Sequence, residues 1–295
     1  MGFWVLGLLL STCLATPSGV PQQEAIWNTQ DQTWLSLHQV SHNLRAGSIV
    51  VFGEEHAIST DPDPIQEQHH LNQQRWLQAL GSRAEAPSDL GMEFLEYTHQ
   101  GLVDGFLAGD IETQTFLQLV GWGSNPFAPY ERLMREAFSW GGRVLGLNIP
   151  KTIARHVSQS GPEALSDGEK ALLPPIWERG GDFYFERFSE TMTGHVPQEK
   201  IERYFWAQSL WDDTMAWTTS QNARPNGIFT IIVGAFHAEF GQGLPARLIR
   251  HGVNPSRIKT LLQVHVENWE PETLAAAVAP DARYGASADY IWVYK

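Results

Sequence analysis

The chain predicts an α/β fold, a mostly parallel central sheet flanked by helices on both faces, and three observations carry that reading. Short uninterrupted apolar runs rich in β-branched and aromatic residues recur, Ser48-Ile49-Val50-Val51-Phe52 and Ile228-Phe229-Thr230-Ile231-Ile232-Val233 foremost, and such runs suit strands buried on both faces. Both close on a glycine, Gly53 and Gly234, where the backbone is expected to turn sharply. Helix-length segments separate the runs, as in strand–helix–strand units.

Taken in order, the chain opens with Phe3-Trp4-Val5-Leu6-Gly7-Leu8-Leu9-Leu10, an apolar stretch of signal-peptide length that is too short to span a bilayer. Residues 1–19 are read as an export segment. Cys13, the single cysteine, sits in it as Leu10-Ser11-Thr12-Cys13, similar to a bacterial lipobox with Thr at an unusual place. Lipidation there would tether the mature protein to a membrane; otherwise Cys13 is one apolar residue of a cleaved peptide.

The first buried run ends in Glu54-Glu55-His56. A polar loop follows, Ser59 to Pro64, whose Asp and Pro residues favour a turn and then a helix from about Ile65 to Leu80. Leu90 to Phe94 reads as a strand ending near Glu93, and Arg143 to Pro150 as another carrying Asn148. Helices between them are marked by Gln114 to Leu119 and Tyr130 to Trp140. Ile201 to Thr219 reads as a long amphipathic helix, followed by the Pro225-Asn226-Gly227 turn and the run ending in Gly234-Ala235-Phe236-His237. Lys259 to Val266 and Tyr290 to Tyr294 supply two more strands.

Composition fits one large domain over residues 20–295: 42% of the residues are hydrophobic and 18% are charged. A net charge of −13 argues against nucleic acid as a partner. Twelve Trp and 14 Phe give enough aromatic mass to line a site for a flat apolar ligand as well as a core.

The candidate chemistry gathers at the strand ends. In open α/β sheets the carboxyl edge binds ligands, so His56 and His237 are expected to face one pocket, within about 10 Å of each other. Glu54 and His56 are two apart and share a side if the strand persists. With Glu93 and His237 they make two carboxylates and two imidazoles. That set serves either as a divalent site for Zn, Mn, Fe or Co, or as acid and base, with Glu54, His56 and Glu93 catalytic in a hydrolase. Each histidine could equally be a hydrogen-bonded structural residue. His69 and His70 fall on the next helix, either lining the pocket or facing solvent. Gln208, Asp212 and Met215 share one face of the long helix, turned either into the pocket or to water.

Several of these segments together resemble a known family. Val50 to His56, Gly91-Met92-Glu93, Gly146 to Pro150 with Ile153-Ala154-Arg155, the Ala207 to Ala216 block, and Val233 to His237 leading to Gly243-Leu244-Pro245 are similar to the ChaN-like haem-binding uptake family. The resemblance runs over roughly residues 45–265. It places the chain beside Tiki, TraB and erythromycin esterase proteins, which share Gly-Glu-x-His or Gly-x-x-His elements. It implies haem binding for iron uptake, a periplasmic or outer-membrane lipoprotein, and Tyr or His as axial ligand, with Tyr97, Tyr130, Tyr184 and Tyr204 available. A homodimer is expected because a flat macrocycle is readily buried between two aromatic surfaces, for which Trp122 to Tyr130 and Phe183 to Phe188 are candidates. Relatives that hydrolyse peptides or esters keep the metal-dependent hydrolase reading as the alternative.

Overall fold

The structure is a computed structural model and describes residues 23–55, 63–83 and 87–295. Eight strands form one sheet: β1 Glu24–Asn28, β2 Thr33–Leu35, β3 Ile49–Glu54, β4 Ser88–Glu96, β5 Val144–Asn148, β6 Ile228–Gly234, β7 Ile258–His265 and β8 Tyr290–Tyr294. Their order is β2-β1-β8-β7-β3-β6-β4-β5. Every pair from β8 to β5 is parallel, while β1 pairs antiparallel with both β8 and β2. The expected strands are all present, and the edge hairpin β1–β2 is an addition. Its antiparallel pairing with the last strand is a non-local contact that no short sequence window contains.

The helices are α1 Leu37–Asn43, α2 Pro64–Gly81, α3 Gln100–Ala108, α4 Thr113–Leu119, α5 Ala128–Ser139, α6 Lys151–Ser160, α7 Asp167–Lys170, α8 Asp182–Met192, α9 Gln198–Asn222, α10 Ala235–Ala238, α11 Leu244–Arg250 and α12 Pro271–Ala277. The expected Asp–Pro start of α2 is realised: Asp63 caps the helix by accepting from the Ile65 N–H, and Pro64 occupies its first turn. Strand residues alternate between two cores. Val50, Phe52 and Ile232 face the side covered by α1 to α5, whereas Ile49, Val51 and Val233 face the side covered by α9, α11 and α12.

Two features of the sheet position the site. From β3 the chain runs outward to β4 and β5, then returns to insert β6 between β3 and β4, then passes to the other flank as β7 and β8. The carboxyl ends of β3, β6 and β4 therefore lie side by side at a reversal of strand order, where an α/β sheet opens a crevice. The second feature is a bulge in β4. Met92 pairs with Gly146 and Glu96 with Asn148, so β4 advances four residues while β5 advances two. Glu93 lies in that irregular stretch, and bulges of this kind re-aim side chains.

Gly53 plays a different part from the one expected. It lies within β3, and its φ is not positive. A Cβ there would stand 2.5 Å from Leu262 Cδ2 and 3.0 Å from Ala235 Cα, so its bare Cα lets α10 settle against the strand.

Candidate functional site

Three of the four expected strand-end residues meet. Glu54, Glu93 and His237 line one cavity of about 480 Å³, with Glu55, Phe188, Met192, Gln208, Trp211 and Phe236 among its other walls. His56 lies outside the described residues, as does Cys13.

Each polar side chain is held by named donors. Glu54 is buried, accepting from Tyr130 Oη at 2.6 Å and from Gln73 Nε2 at 2.7 Å. Burial first, and then the Glu54 charge, push the Tyr130 phenol far above its ordinary range, so Tyr130 stays a donor. Glu93 Oε2 accepts the Gly234 N–H at 2.7 Å, which ties the β4 bulge to the end of β6. Asn148 Nδ2 donates to the Glu93 carbonyl at 3.1 Å, and its Oδ1 accepts the Ile149 N–H. Asn148 thus braces Glu93 from β5.

His237 sits on α10 between two carboxylates, with Nδ1 donating to Asp212 Oδ1 at 2.6 Å and Nε2 lying 3.4 Å from Glu93 Oε1. Burial works against its charged form, but Asp212 and then Glu93 outweigh it and raise its pKa to about 10. His237 is therefore an imidazolium near neutral pH. Tyr184 Oη donates to the other Asp212 oxygen at 2.8 Å and accepts from Gln208 Nε2 at 3.1 Å. Asp212, fully buried on α9, points at His237 from behind the cavity wall, while Gln208 one turn earlier reaches the wall itself.

The expected divalent site gains no support from the described residues. Among the described residues no group of three or more His, Cys, Asp or Glu side chains is placed to hold a metal ion. Here Glu54 accepts from Tyr130 and Gln73, and His237 carries a proton held by Asp212. The same proton on His237 leaves it unable to act as a general base near neutral pH.

His69 and His70 are both buried on α2, and neither lines this cavity or the one beside it. His70 packs edge-on to Tyr130 with ring centres 5.1 Å apart. His69 packs on Tyr294, neither of its ring nitrogens has a partner among the described residues, and burial lowers its pKa to about 4. The aromatic stretch Trp122 to Tyr130 is not a surface: Trp122, Phe127 and Tyr130 are buried in the core with Phe106 and Phe116. Within Phe183 to Phe188, Phe183 is 61% exposed, whereas Tyr184 and Phe188 are buried.

Sequence reasoning passed over a second, larger cavity. It measures about 640 Å³, lies between α6 and α9, and is closed by Phe188 and Met192 of α8. Lys151 and Arg155 line it from α6, and Tyr204 and Trp211 from α9. It shares Phe188, Met192, Gln208 and Trp211 with the first cavity, so the two adjoin across one wall. The i, i+3, i+7 spacing of Tyr204, Ala207 and Trp211 was the available signal, but it needed a partner helix at α6 to define a groove.

No curated protein matches the chain. Among solved structures, an erythromycin esterase mutant in its open conformation is a distant likeness, with a TM-score of 0.43, 11% identity, and 89% of this chain and 82% of that one covered. ChaN of Campylobacter jejuni, described with cofacial haem bound, aligns over 92% of this chain and 97% of its own with a TM-score of 0.66 and 16% identity, which shows a shared fold. The family model for "Haem-binding uptake, Tiki superfamily, ChaN" matches residues 40–248. This chain therefore belongs to the ChaN haem-binding uptake family of the Tiki superfamily.

Proposed function

We propose that the protein binds haem in the groove between α6 and α9 and serves haem or iron uptake outside the cytoplasm. One observation carries this beyond family membership: an apolar groove of cofactor size holds a tyrosine whose hydroxyl is not engaged elsewhere. Of the four candidate tyrosines, Tyr130 donates to Glu54, Tyr184 to Asp212, and Tyr97 to the Leu172 carbonyl at 2.8 Å. Tyr204, 37% exposed, has no hydrogen-bond partner among the described residues and lines the groove with Trp211, Phe188 and Met192. A phenolate oxygen is a known haem ligand, and these side chains suit the faces of a macrocycle.

Titration of the protein with haemin should give a Soret band that saturates at a fixed stoichiometry. Tyr204→Phe should shift that band and weaken binding tenfold or more. A variant with an unchanged spectrum and affinity would move the iron ligand elsewhere, and the absence of any Soret complex would end the haem reading.

The same reading has two copies burying the macrocycle between them and the chain exported, either released by cleavage after the apolar run or held through a lipid on Cys13. Haem-dependent dimerisation in analytical ultracentrifugation checks the first part. Fractionation of Cys13→Ser checks the second, since an unchanged membrane fraction would make the cysteine incidental. Hydrolysis by Glu54, His56 and Glu93 gains no support from the engaged Glu54 or the charged His237.

A further inference from the structure

Strand β5 is one outer edge of the sheet, and an outer strand presents backbone groups that template pairing with another chain. The opposite edge, β2, is only three residues long, whereas β5 runs for five, Val144–Asn148. Which groups of β5 face outward follows from its pairing. The Leu90 N–H donates to the Arg143 carbonyl, and Gly91 lies opposite Leu145, so Arg143 and Leu145 turn their backbone groups to β4 while Val144 and Gly146 turn theirs away. A strand added in parallel would place one residue opposite Leu145, donating its N–H to the Val144 carbonyl and accepting the Gly146 N–H.

Gln100 already makes both bonds. It is the first residue of α3, reached from the end of β4 through the Tyr97–His99 turn, and its side chain lies against the β5 edge. Nε2 donates to the Val144 carbonyl at 2.8 Å, and Oε1 accepts the Gly146 N–H at 3.1 Å. The second Nε2 proton goes to Asp104 Oδ1 at 2.9 Å, one turn along α3, so two acceptors and one donor fix which end of the amide is which. A recess of about 160 Å³, lined by Gln100, Leu145, Gly146 and Gln221 among others, opens beside these bonds. We propose that Gln100 is an edge stop: its amide takes the place of a peptide group opposite Leu145 and keeps a second copy of the chain from adding to the sheet at β5. Such a copy would meet the same outward groups across a twofold axis, β5 against β5. The stop does not depend on what the groove between α6 and α9 holds.

The test uses the full chain without haemin and compares three proteins. They are the wild type, Gln100→Met, which keeps the length and removes the amide, and Gln221→Met, which puts the same apolar chain beside the recess and frees no ladder group. Sedimentation velocity over a range of concentrations reads association, and hydrogen exchange reads the amides of residues 144–148. Gln100→Met should self-associate at least about tenfold more tightly than the wild type, with the Gly146 N–H exchanging faster in its dilute monomer and protected again once associated. Gln221→Met should match the wild type in both. Should Gln100→Met fold poorly, Gln100→Ala frees the same groups and is read in the same way. A folded variant at Gln100 that associates no more than the wild type, association that protects other segments instead of β5, or equal association by Gln221→Met would overturn the stop. So would fast exchange of the Gly146 N–H in the folded wild-type monomer.

Discussion

Glu54 and Tyr130 show how much of the site is decided by a single donor. The Tyr130 hydroxyl reaches a buried carboxyl at 2.6 Å. Tyr130→Phe keeps the ring contacts with Phe94, Trp122 and His70 and removes only the O–H. Such a bond to a charged acceptor is worth about 1.5–3 kcal/mol, and urea denaturation of the variant should show a loss of that size. A loss below about 0.5 kcal/mol would mean that Glu54 finds an equivalent donor. Glu54 was legible in the sequence because it follows a buried run; Tyr130, 76 positions away, was not. Nothing local marks which tyrosine will face a given carboxylate.

The elements that matter most at the site are the β4 bulge and the long helix α9. Gly146 of β5 sits against the bulge, and a Cβ there would lie 2.4 Å from the Glu96 carbonyl oxygen, a backbone atom with no freedom to swing aside. Gly146→Ala should cost about 1–3 kcal/mol through overpacking. Gly101 on α3 is the control. Added atoms there meet nothing within 4 Å, so Gly101→Ala should stabilise by up to about 1 kcal/mol through helix propensity. Equal effects in urea melts would show that the bulge yields easily. Helix α9 does two jobs along its 25 residues: Met215 and Ala216 pack on the sheet, while Tyr204 to Trp211 extend past it to wall both cavities. Its existence was plain from periodicity. The division of labour was not, because it depends on where the sheet edge falls.

Across the whole molecule, two buried histidines give stability opposite pH dependences. His237 has a folded pKa of about 10 against an ordinary 6.5, so its contribution is complete below pH 6.5 and is lost as pH rises toward 10. His69 has a folded pKa of about 4 against the same 6.5, so the unfolded chain takes its proton first; its contribution is complete above pH 6.5 and is lost as pH falls toward 4. Each limb can reach a slope of about 1.4 kcal/mol per pH unit for one proton. Stability measured by urea melts from pH 4 to 10 should therefore peak near pH 6.5. His69→Gln should flatten the acid limb and leave the alkaline limb alone, and identical acid limbs in both proteins would assign that loss to carboxylates instead.

The sequence by itself determined the α/β class, β3 to β8, and α2, α5 and α9, because buried strands and amphipathic helices write their periods into consecutive residues. It also put Glu54, Glu93 and His237 at strand ends. Only the tertiary structure decided what those residues meet, since hydrogen-bond partners come from distant elements. Asp212 and Glu93 hold the charge on His237, and the Gly234 N–H binds Glu93. Asp89 illustrates the same limit: it opens an apolar strand, yet it is buried and bound by Arg143 and Arg224 from two other connections, which hold its carboxyl below the usual range despite burial. The groove itself belongs to this second kind. It exists because α6, α8 and α9 pack around a volume none of them fills.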